Sequence, residues 1–168
     1  MDAHEIEALN ELENLFGKPI LKVDEIKRGI TGFKVKEEKI VELLLSKKDL
    51  KELPSNIGNL TSLERFVARN NQLTSLPDSF GLLKNLKYLN LTGSNISVLP
   101  SCLRKLKKLE YLGFNRTKVK KLPEWIGELV NLEQLWFEYG PLEHLPDSIG
   151  NLKKLKNLAT ESTKTTKK

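Results

Sequence analysis

Cysteine and long apolar runs are scarce in this 168-residue chain. Its single cysteine, Cys102, excludes an intramolecular disulfide and favours a reducing compartment. No apolar stretch approaches the roughly 18 residues that a membrane span requires. The N-terminal segment MDAHEIEALNELENLF is acidic and amphipathic, unlike a secretory signal or a transit peptide. We therefore expect a cytoplasmic protein with no membrane span.

Residues that carry catalysis or hold metals are also few. His4 and His144 are the only histidines, and Cys102 has no predicted base beside it. The chain has no H-E-x-x-H motif, no Cys/His cluster of metal-binding spacing and no glycine-rich phosphate loop. We expect an inert thiol, no catalytic residue, no metal and no cofactor. This pattern favours a chain that is not an enzyme.

One 23-residue pattern recurs five times between residues 40 and 154, without insertion. Each copy fits L-x-x-L-x-L-x-x-N-x-L-x-x-L-P-x-x-I-G-x-L-x-x. A unit of this length cannot bury its apolar face alone, so successive units stack into a solenoid. The copies begin at Ile40, Leu63, Leu86, Leu109 and Leu132, and a partial sixth begins at Leu155.

The pattern within one copy predicts its local structure. The alternating L-x-L is typical of a short strand, and stacked copies place these strands in parallel about 4.8 Å apart. The proline of each copy removes a backbone donor and turns the chain onto the convex side. The eight or so residues that follow suit 3₁₀ turns or coil rather than α-helices. We predict an α/β solenoid with an inward set comprising Leu89, Leu91, Leu112 and Leu135.

The pattern resembles the leucine-rich repeat family over residues 40–158. Its 23-residue length and L-P-x-x-I-G-x-L ending are similar to the subclass shared by microbial proteins and intracellular Ras-suppressor-type scaffolds. The resemblance implies a concave face that binds a protein or peptide. It also suggests a small GTPase or its regulator as the partner. A separate alternative is that the repeats are the targeting part of a larger enzyme. The family usually bonds neighbouring copies through a ninth-position asparagine, a position held here by Lys48, Asn71, Ser94, Thr117 and Gly140.

The segments outside the five copies predict an N-terminal cap and a tail. Residues 1–39 form the cap, in which Asp2 and Glu5 make a capping box and Gly17 ends a helix. Phe33 and Val35 alternate before a KEEK turn, which predicts a hairpin with the first repeat strand. Residues 159–168 are a basic tail that we expect to be disordered. The helix has an apolar face that either covers the first repeat or binds a partner: Ile6, Leu9, Leu12, Leu15 and Phe16.

The partial sixth copy has two interpretations. Either Leu155 and Leu158 belong to a last, poorly covered strand, or the sequence is part of a longer protein.

Aromatic and charged residues mark the concave face. Tyr88 and Tyr111 hold the same position in adjacent copies, and exposed aromatic and arginine side chains dominate the energetics of interfaces. Charge changes from basic to acidic along this face. The alternative is that tyrosine simply suits a strand. The predicted partner-binding residues are Arg65, Arg69, Tyr88, Asn90, Tyr111, Arg116, Trp136, Glu138 and Tyr139.

The net charge of +6 suggests nucleic acid as a weaker alternative partner. Most of the paired lysines fall at convex or loop positions, which favours a solvated surface. We therefore expect a monomer that binds a protein or peptide, not nucleic acid. The pairs are Lys47–Lys48, Lys107–Lys108, Lys120–Lys121 and Lys153–Lys154.

Overall fold

The computed structural model describes residues 1–17, 19–25, 31–46 and 49–160. The predictions for Lys47, Lys48 and residues 161–168 therefore lie outside the described residues. The chain begins with helix α1, Ala3–Phe16. The strands are β1 Gly32–Lys36, β2 Lys39–Leu44, β3 Arg65–Val67, β4 Tyr88–Asn90, β5 Tyr111–Gly113, β6 Gln134–Trp136 and β7 Asn157–Ala159.

The strands form one seven-stranded sheet in chain order. Strands β1 and β2 are antiparallel, whereas β2 to β7 are all parallel. Equivalent positions of successive copies lie side by side, so that Tyr88 pairs with Arg65 on one side and with Tyr111 on the other. The predicted parallel sheet and the predicted hairpin are confirmed.

Short 3₁₀ helices form the convex side, as the sequence predicts. Each begins directly after the proline of its copy, whose extended backbone serves as the N-cap. Proline suits this position because it has no N–H to leave unpaired. The five helices are Ser55–Asn59, Asp78–Leu82, Ser101–Lys105, Glu124–Glu128 and Asp147–Asn151.

The core runs between the sheet and the 3₁₀ helices. Leu89, Leu91, Leu112 and Leu135 are all 0% exposed, which confirms the predicted inward positions. Phe66 from the strand side meets Phe80 from the convex side edge-to-face, with ring centroids 5.3 Å apart. Apolar contacts between neighbouring copies therefore hold the solenoid together.

Helix α1 caps the first repeat with a face rotated from the predicted one. The capping box of Asp2 and Glu5 is present, and Gly17 ends the helix with a left-handed φ of 68°. However, the prediction that Ile6 and Leu15 belong to the covered face is wrong, since they are 42% and 44% exposed. At about 100° per residue they fall on opposite flanks of the covered face. The side chains that face the repeats are Glu5, Ala8, Leu9 and Leu12.

Glu5 joins the cap helix to the first repeat strand. Its carboxylate is buried and accepts hydrogen bonds from the backbone N–H groups of Asp2 and Ile40, both at 3.2 Å. Lys39 Nζ donates to Asp2 and lies 4.0 Å from Glu5. A capping-box residue thus also satisfies the donor at the start of β2, a role that the spacing of the sequence does not show.

The side chain at the ninth position forms different hydrogen bonds in different copies. Asn71 donates to the Leu45 carbonyl at 2.7 Å and accepts from the Leu50 N–H at 3.1 Å, bridging two copies. The Thr117 hydroxyl instead donates to Phe114 within its own copy, at 2.8 Å. The Ser94 hydroxyl is buried without a hydrogen-bond partner among the described residues. Ser94 and Thr117 therefore do not replace asparagine as a bridge, because neither hydroxyl bonds to the neighbouring copy among the described residues.

Strand β7 forms from the partial sixth copy and pairs in parallel with β6. Leu158, at its centre, is 41% exposed and has little cover from the described residues. Within the described residues, no helix has the length and apolar character that a transmembrane segment requires.

Candidate functional site

Two tyrosines and one arginine form a stack across three strands of the concave face. The rings of Tyr88 and Tyr111 are 4.1 Å apart between centroids and inclined by only 8°. The guanidinium carbon of Arg65 lies 3.7 Å from the centroid of the Tyr88 ring. Because β3, β4 and β5 pair in register, these three side chains leave adjacent strands in one row. We call Arg65, Tyr88 and Tyr111 the tyrosine stack.

Asn90 supports the stack. Its Nδ2 donates to the hydroxyls of Tyr88 and Tyr111, each at 3.4 Å, and its Oδ1 accepts from the Thr92 N–H at 3.0 Å. The side chain is only 5% exposed, although the sequence pattern places it among the surface contacts. It therefore positions the tyrosines, and a partner would meet their rings rather than the amide.

Gly113 leaves the space that the Tyr111 ring occupies. A Cβ atom there would lie 2.9 Å from Tyr111 Cε1, 3.0 Å from its hydroxyl oxygen and 3.2 Å from Asn90 Cγ. Any larger residue would push the ring aside, so Gly113 contributes to the site without contacting a partner. Sequence reasoning missed it. The available signal was a glycine two residues after Tyr111, at the position that Asn90 occupies one copy earlier.

The sequence pattern predicts exposed tyrosines, whereas Tyr88 and Tyr111 are half-buried in the structure. Burial raises the pKa of the Tyr111 phenol, and the nearby Tyr88 hydroxyl adds to this effect. Tyr111 therefore keeps its proton at neutral pH and can donate a hydrogen bond.

Most charges on the concave face are already paired. Lys87 contacts Glu64 at 2.9 Å, Arg65 lies 3.7 Å from Glu42, and Lys156 contacts Glu133 at 2.7 Å. The predicted change from basic to acidic is thereby reduced. Arg69 differs, since its Nε is buried and has no hydrogen-bond partner in the described part of the chain. The positive charge of Arg69 lies near enough to Tyr111 to oppose, in part, the rise in the pKa of its phenol.

The remaining predicted residues lie towards the C-terminal strands. Arg116 lies over Tyr139, with 5.5 Å from guanidinium carbon to ring centroid. Both have a left-handed backbone, with φ of 56° and 57°. Glu138 exchanges hydrogen bonds with Asn115 at 2.8 and 3.1 Å. The Trp136 indole donates to Gln134 at 3.4 Å.

Family models agree with this architecture. A model described as a leucine-rich repeat region matches residues 101–168, and one described as a leucine rich repeat matches residues 59–119. The fold is a leucine-rich-repeat solenoid. Domains of this kind commonly serve as binding surfaces for other proteins. Among curated proteins, none matches the chain.

Solved structures contain the same solenoid. A leucine-rich-repeat protein of Leptospira interrogans is 32% identical with a TM-score of 0.71, over 73% of this chain and 31% of that protein. A plant ice-binding protein is 22% identical, with a TM-score of 0.76 over 96% of this chain and 56% of its own. The ectodomain of the receptor kinase SOBIR1 from Arabidopsis thaliana is 21% identical, with a TM-score of 0.71, and the match covers 96% of this chain and 94% of that ectodomain. The chain thus spans under a third of the Leptospira protein, and the two plant structures bear on the fold alone.

Several lysines on the convex side of the solenoid join neighbouring repeats. Arg104 and Lys107 contact Glu128 of the next repeat at 2.6 and 3.0 Å, and they lower the pKa of Glu128 to about 2. Lys108 donates to Asn85 at 2.8 Å, and Asn85 in turn donates to the Thr61 carbonyl at 3.0 Å. These lysines are therefore contacts between repeats as well as a charged surface.

Cys102 lies buried on the convex side of the solenoid, where Gly81 allows the Cys102 carbonyl to approach closely. Burial, assisted by the Asp78 carboxylate, raises the pKa of the thiol from 9.0 to about 11. Within the described residues, no group of three His, Cys, Asp or Glu side chains could hold a metal ion.

The thiol provides a direct test of this packing. At pH 8 the folded chain should react with a disulfide reagent at least about 100-fold more slowly than the chain in denaturant, because the raised pKa leaves little thiolate. The reaction can be followed by absorbance, with free cysteine as control. Equal rates in the folded and unfolded chain would contradict the buried position of Cys102.

Proposed function

We propose that this chain is a non-catalytic module that binds a protein or peptide on the concave face of its solenoid. The tyrosine stack is the observation that carries the proposal. Arg65, Tyr88 and Tyr111 are held against each other, and Asn90 supports both hydroxyls. Such a surface loses little side-chain entropy on binding, and aromatic and arginine side chains are the usual anchors of interfaces.

The chemistry around the stack favours an acidic group of the partner at Arg69. Arg69 forms no ion pair with a carboxylate among the described residues. Charge-assisted hydrogen bonds from arginine to a carboxylate are strong and directional. At the other end, Glu133 is already paired with Lys156, so that Glu138 is the carboxylate that favours a basic portion of the partner. Electrostatic complementarity of this kind orients a complex.

The backbone of Arg116 and Tyr139 supports a binding role for their side chains. Their position in the repeat is left-handed in the neighbouring copies too, where Asn70 and Gly93 have φ of 54° and 75°. Glycine and asparagine adopt this conformation readily, whereas arginine and tyrosine adopt it at a cost of about 1 kcal/mol or more. Large side chains at a position that prefers small ones point to a contact outside the chain.

Binding should depend on the concave aromatic residues. Tyr111→Ala and Trp136→Ala are each expected to weaken binding of the partner by about 1–3 kcal/mol while leaving the circular dichroism spectrum unchanged. The partner would be obtained by affinity capture and the dissociation constants measured with purified proteins by calorimetry.

Lys153→Ala is the matched control, because this convex side chain makes no hydrogen bond or ion pair within the described residues. If the Lys153 or Lys107 and Lys108 changes weaken binding and the aromatic changes do not, the concave-face proposal is wrong. Loss of that binding with rising salt would then point to nucleic acid.

We propose the cytoplasm as the location, and we assign the repeats to the 23-residue subclass because of their even spacing.

More specific partners can be tested with the same purified chain. A small GTPase as partner predicts that affinity depends on the bound nucleotide. A role as regulator or adaptor of a signalling enzyme predicts that the captured partner carries the catalytic activity. A role as the targeting part of a larger enzyme predicts instead that the activity belongs to a longer protein containing these repeats.

A further inference from the structure

A groove on the convex side of the solenoid gathers positive charge from neighbouring repeats. It has a volume of about 570 Å³ and lies across the second, third and fourth copies. Five of its six lining side chains are cations and only one is an anion. Such an imbalance attracts anions from solution. The lining residues are Lys84, Arg104, Lys105, Lys107, Lys108 and Glu128.

Glu128 shows which chemical group these cations hold. Arg104 contacts both of its carboxylate oxygens, at 2.9 and 2.6 Å, and Lys107 Nζ lies 3.0 Å from the same carboxylate. The planar fork of a guanidinium matches a carboxylate well. One end of the groove is therefore already occupied by a carboxylate of the chain itself.

The other end of the groove brings together three ammonium groups and no carboxylate. Lys84 reaches forward to donate to the Lys105 carbonyl at 3.2 Å, whereas Lys108 reaches back to donate to Asn85 at 2.8 Å. Lys105 lies back over Gly81, where a Cβ atom would be 2.8 Å from the lysine Cδ. Its ammonium group forms no hydrogen bond or ion pair with any described residue. Because like charges in one groove repel one another, this end favours an anion from outside the chain.

Arg104 occupies a position where the neighbouring copies have glycine. A Cβ atom at Gly58 or Gly127 would lie 2.3 Å from a carbonyl oxygen of the next repeat, and one at Gly81 would lie 2.9 Å from another. Glycine at this position thus allows the following repeat to pack closely. The third and fourth 3₁₀ helices, which meet at Arg104, pack less closely than the other neighbouring pairs. The third copy therefore carries a cation where close packing favours glycine.

Leu82, beside the groove, indicates which class of anion fits. Its side chain is 52% exposed, and it holds in the second copy the position that Lys105 holds in the third. Nucleic-acid phosphates are bound by cations and polar groups, whereas a protein segment can bring carboxylates and an apolar side chain together. The apolar neighbour and the carboxylate of Glu128 both favour a protein segment.

We propose that this groove binds an acidic segment of a partner protein. A carboxylate of the segment lies among Lys84, Lys105 and Lys108, and an apolar side chain of the segment covers Leu82. The groove goes beyond the function proposed for the concave face. It lies on the opposite side of the solenoid, so either surface can function without the other.

The probe for this test is a short fluorescein-labelled peptide of glutamate and leucine, whose anisotropy reports binding to the full chain. The groove variant combines Lys84→Thr, Lys105→Asn and Lys108→Asn, which are residues that other copies have at these positions. The variant should keep the circular dichroism spectrum and the melting temperature of the wild type. It should bind the peptide about tenfold more weakly, because three cations are lost from one groove.

A matched control removes three lysines that do not line the groove. It combines Lys121→Ser, Lys153→Thr and Lys154→Asn, again with residues that other copies have at these positions. Since the net charge falls equally, the control should weaken the peptide less than about twofold. Tyr111→Ala should leave the anisotropy titration unchanged, which separates the groove from the concave site.

A single change tests the apolar contact. Leu82→Asn introduces the residue found at this position in the first and fifth copies. It should weaken the peptide of glutamate and leucine about threefold, because one partly exposed leucine loses its apolar partner. Binding of a peptide of glutamate and glutamine should not change.

Three results would overturn the proposal. One is equal weakening by the groove variant and the matched control, which would show an effect of net charge alone. Another is tighter binding of single-stranded DNA or phosphatidylserine vesicles than of the peptide, lost in the groove variant, which would assign the groove to nucleic acid or a membrane. The third is light scattering that shows wild-type dimers broken by the groove variant, which would make a second copy the occupant.

Discussion

Replacing Leu112 with alanine is expected to lower the free energy of unfolding by about 2–5 kcal/mol. Leu112 is 0% exposed and lies at the centre of β5, between Leu89 of β4 and Leu135 of β6. The cavity would thus open inside a column of leucines that crosses the repeat boundaries. Because solenoid repeats contact only their neighbours, the loss should affect the interfaces on both sides of the fourth copy.

Tyr111→Ala is the matched control, one residue away on the opposite side of the same strand. It removes a half-buried ring and its stacking on Tyr88, which is worth about 1 kcal/mol. Urea denaturation followed by circular dichroism compares the two variants. A larger loss for Tyr111→Ala than for Leu112→Ala would show that the inward and outward positions have been exchanged.

Removal of residues 1–38 is expected to make the chain aggregate. It takes away Ala8, Leu9 and Leu12, which are buried against the first repeat, and it strips β1 from the edge of β2. The exposed parallel edge and the uncovered leucines are the features that promote association between chains. Size-exclusion chromatography with light scattering measures the outcome.

A double change at Ile6 and Leu15 to alanine is the control for the cap deletion. Both side chains are largely exposed, so the variant should remain monomeric with nearly unchanged thermal stability. If the truncated chain is monomeric and melts with the full-length chain, α1 does not serve as a cap and the partner-binding interpretation of the helix is favoured.

Much of the architecture follows from the repeat itself. The alternation around Leu112 predicts its strand, Pro123 predicts the start of a 3₁₀ helix, and Gly17 predicts the end of α1. These features depend on backbone preferences and on one apolar face, which a short stretch of sequence expresses. The covered face of α1 was predicted less well. Apolar residues lie on both flanks of that face, so the sequence alone does not show where it begins and ends.

The candidate site, too, was predicted only in part from the sequence. The even period alone aligns Arg65, Tyr88 and Tyr111 in one row, since equivalent positions of stacked repeats must lie side by side. Only the tertiary structure placed Asn90 beneath the rings and made Gly113 the space for one of them. It also decided which charges on the concave face are paired. The physical reason is that periodicity sets where each backbone lies, whereas contacts between side chains depend on their lengths, rotamers and hydrogen-bond partners in the neighbouring repeat.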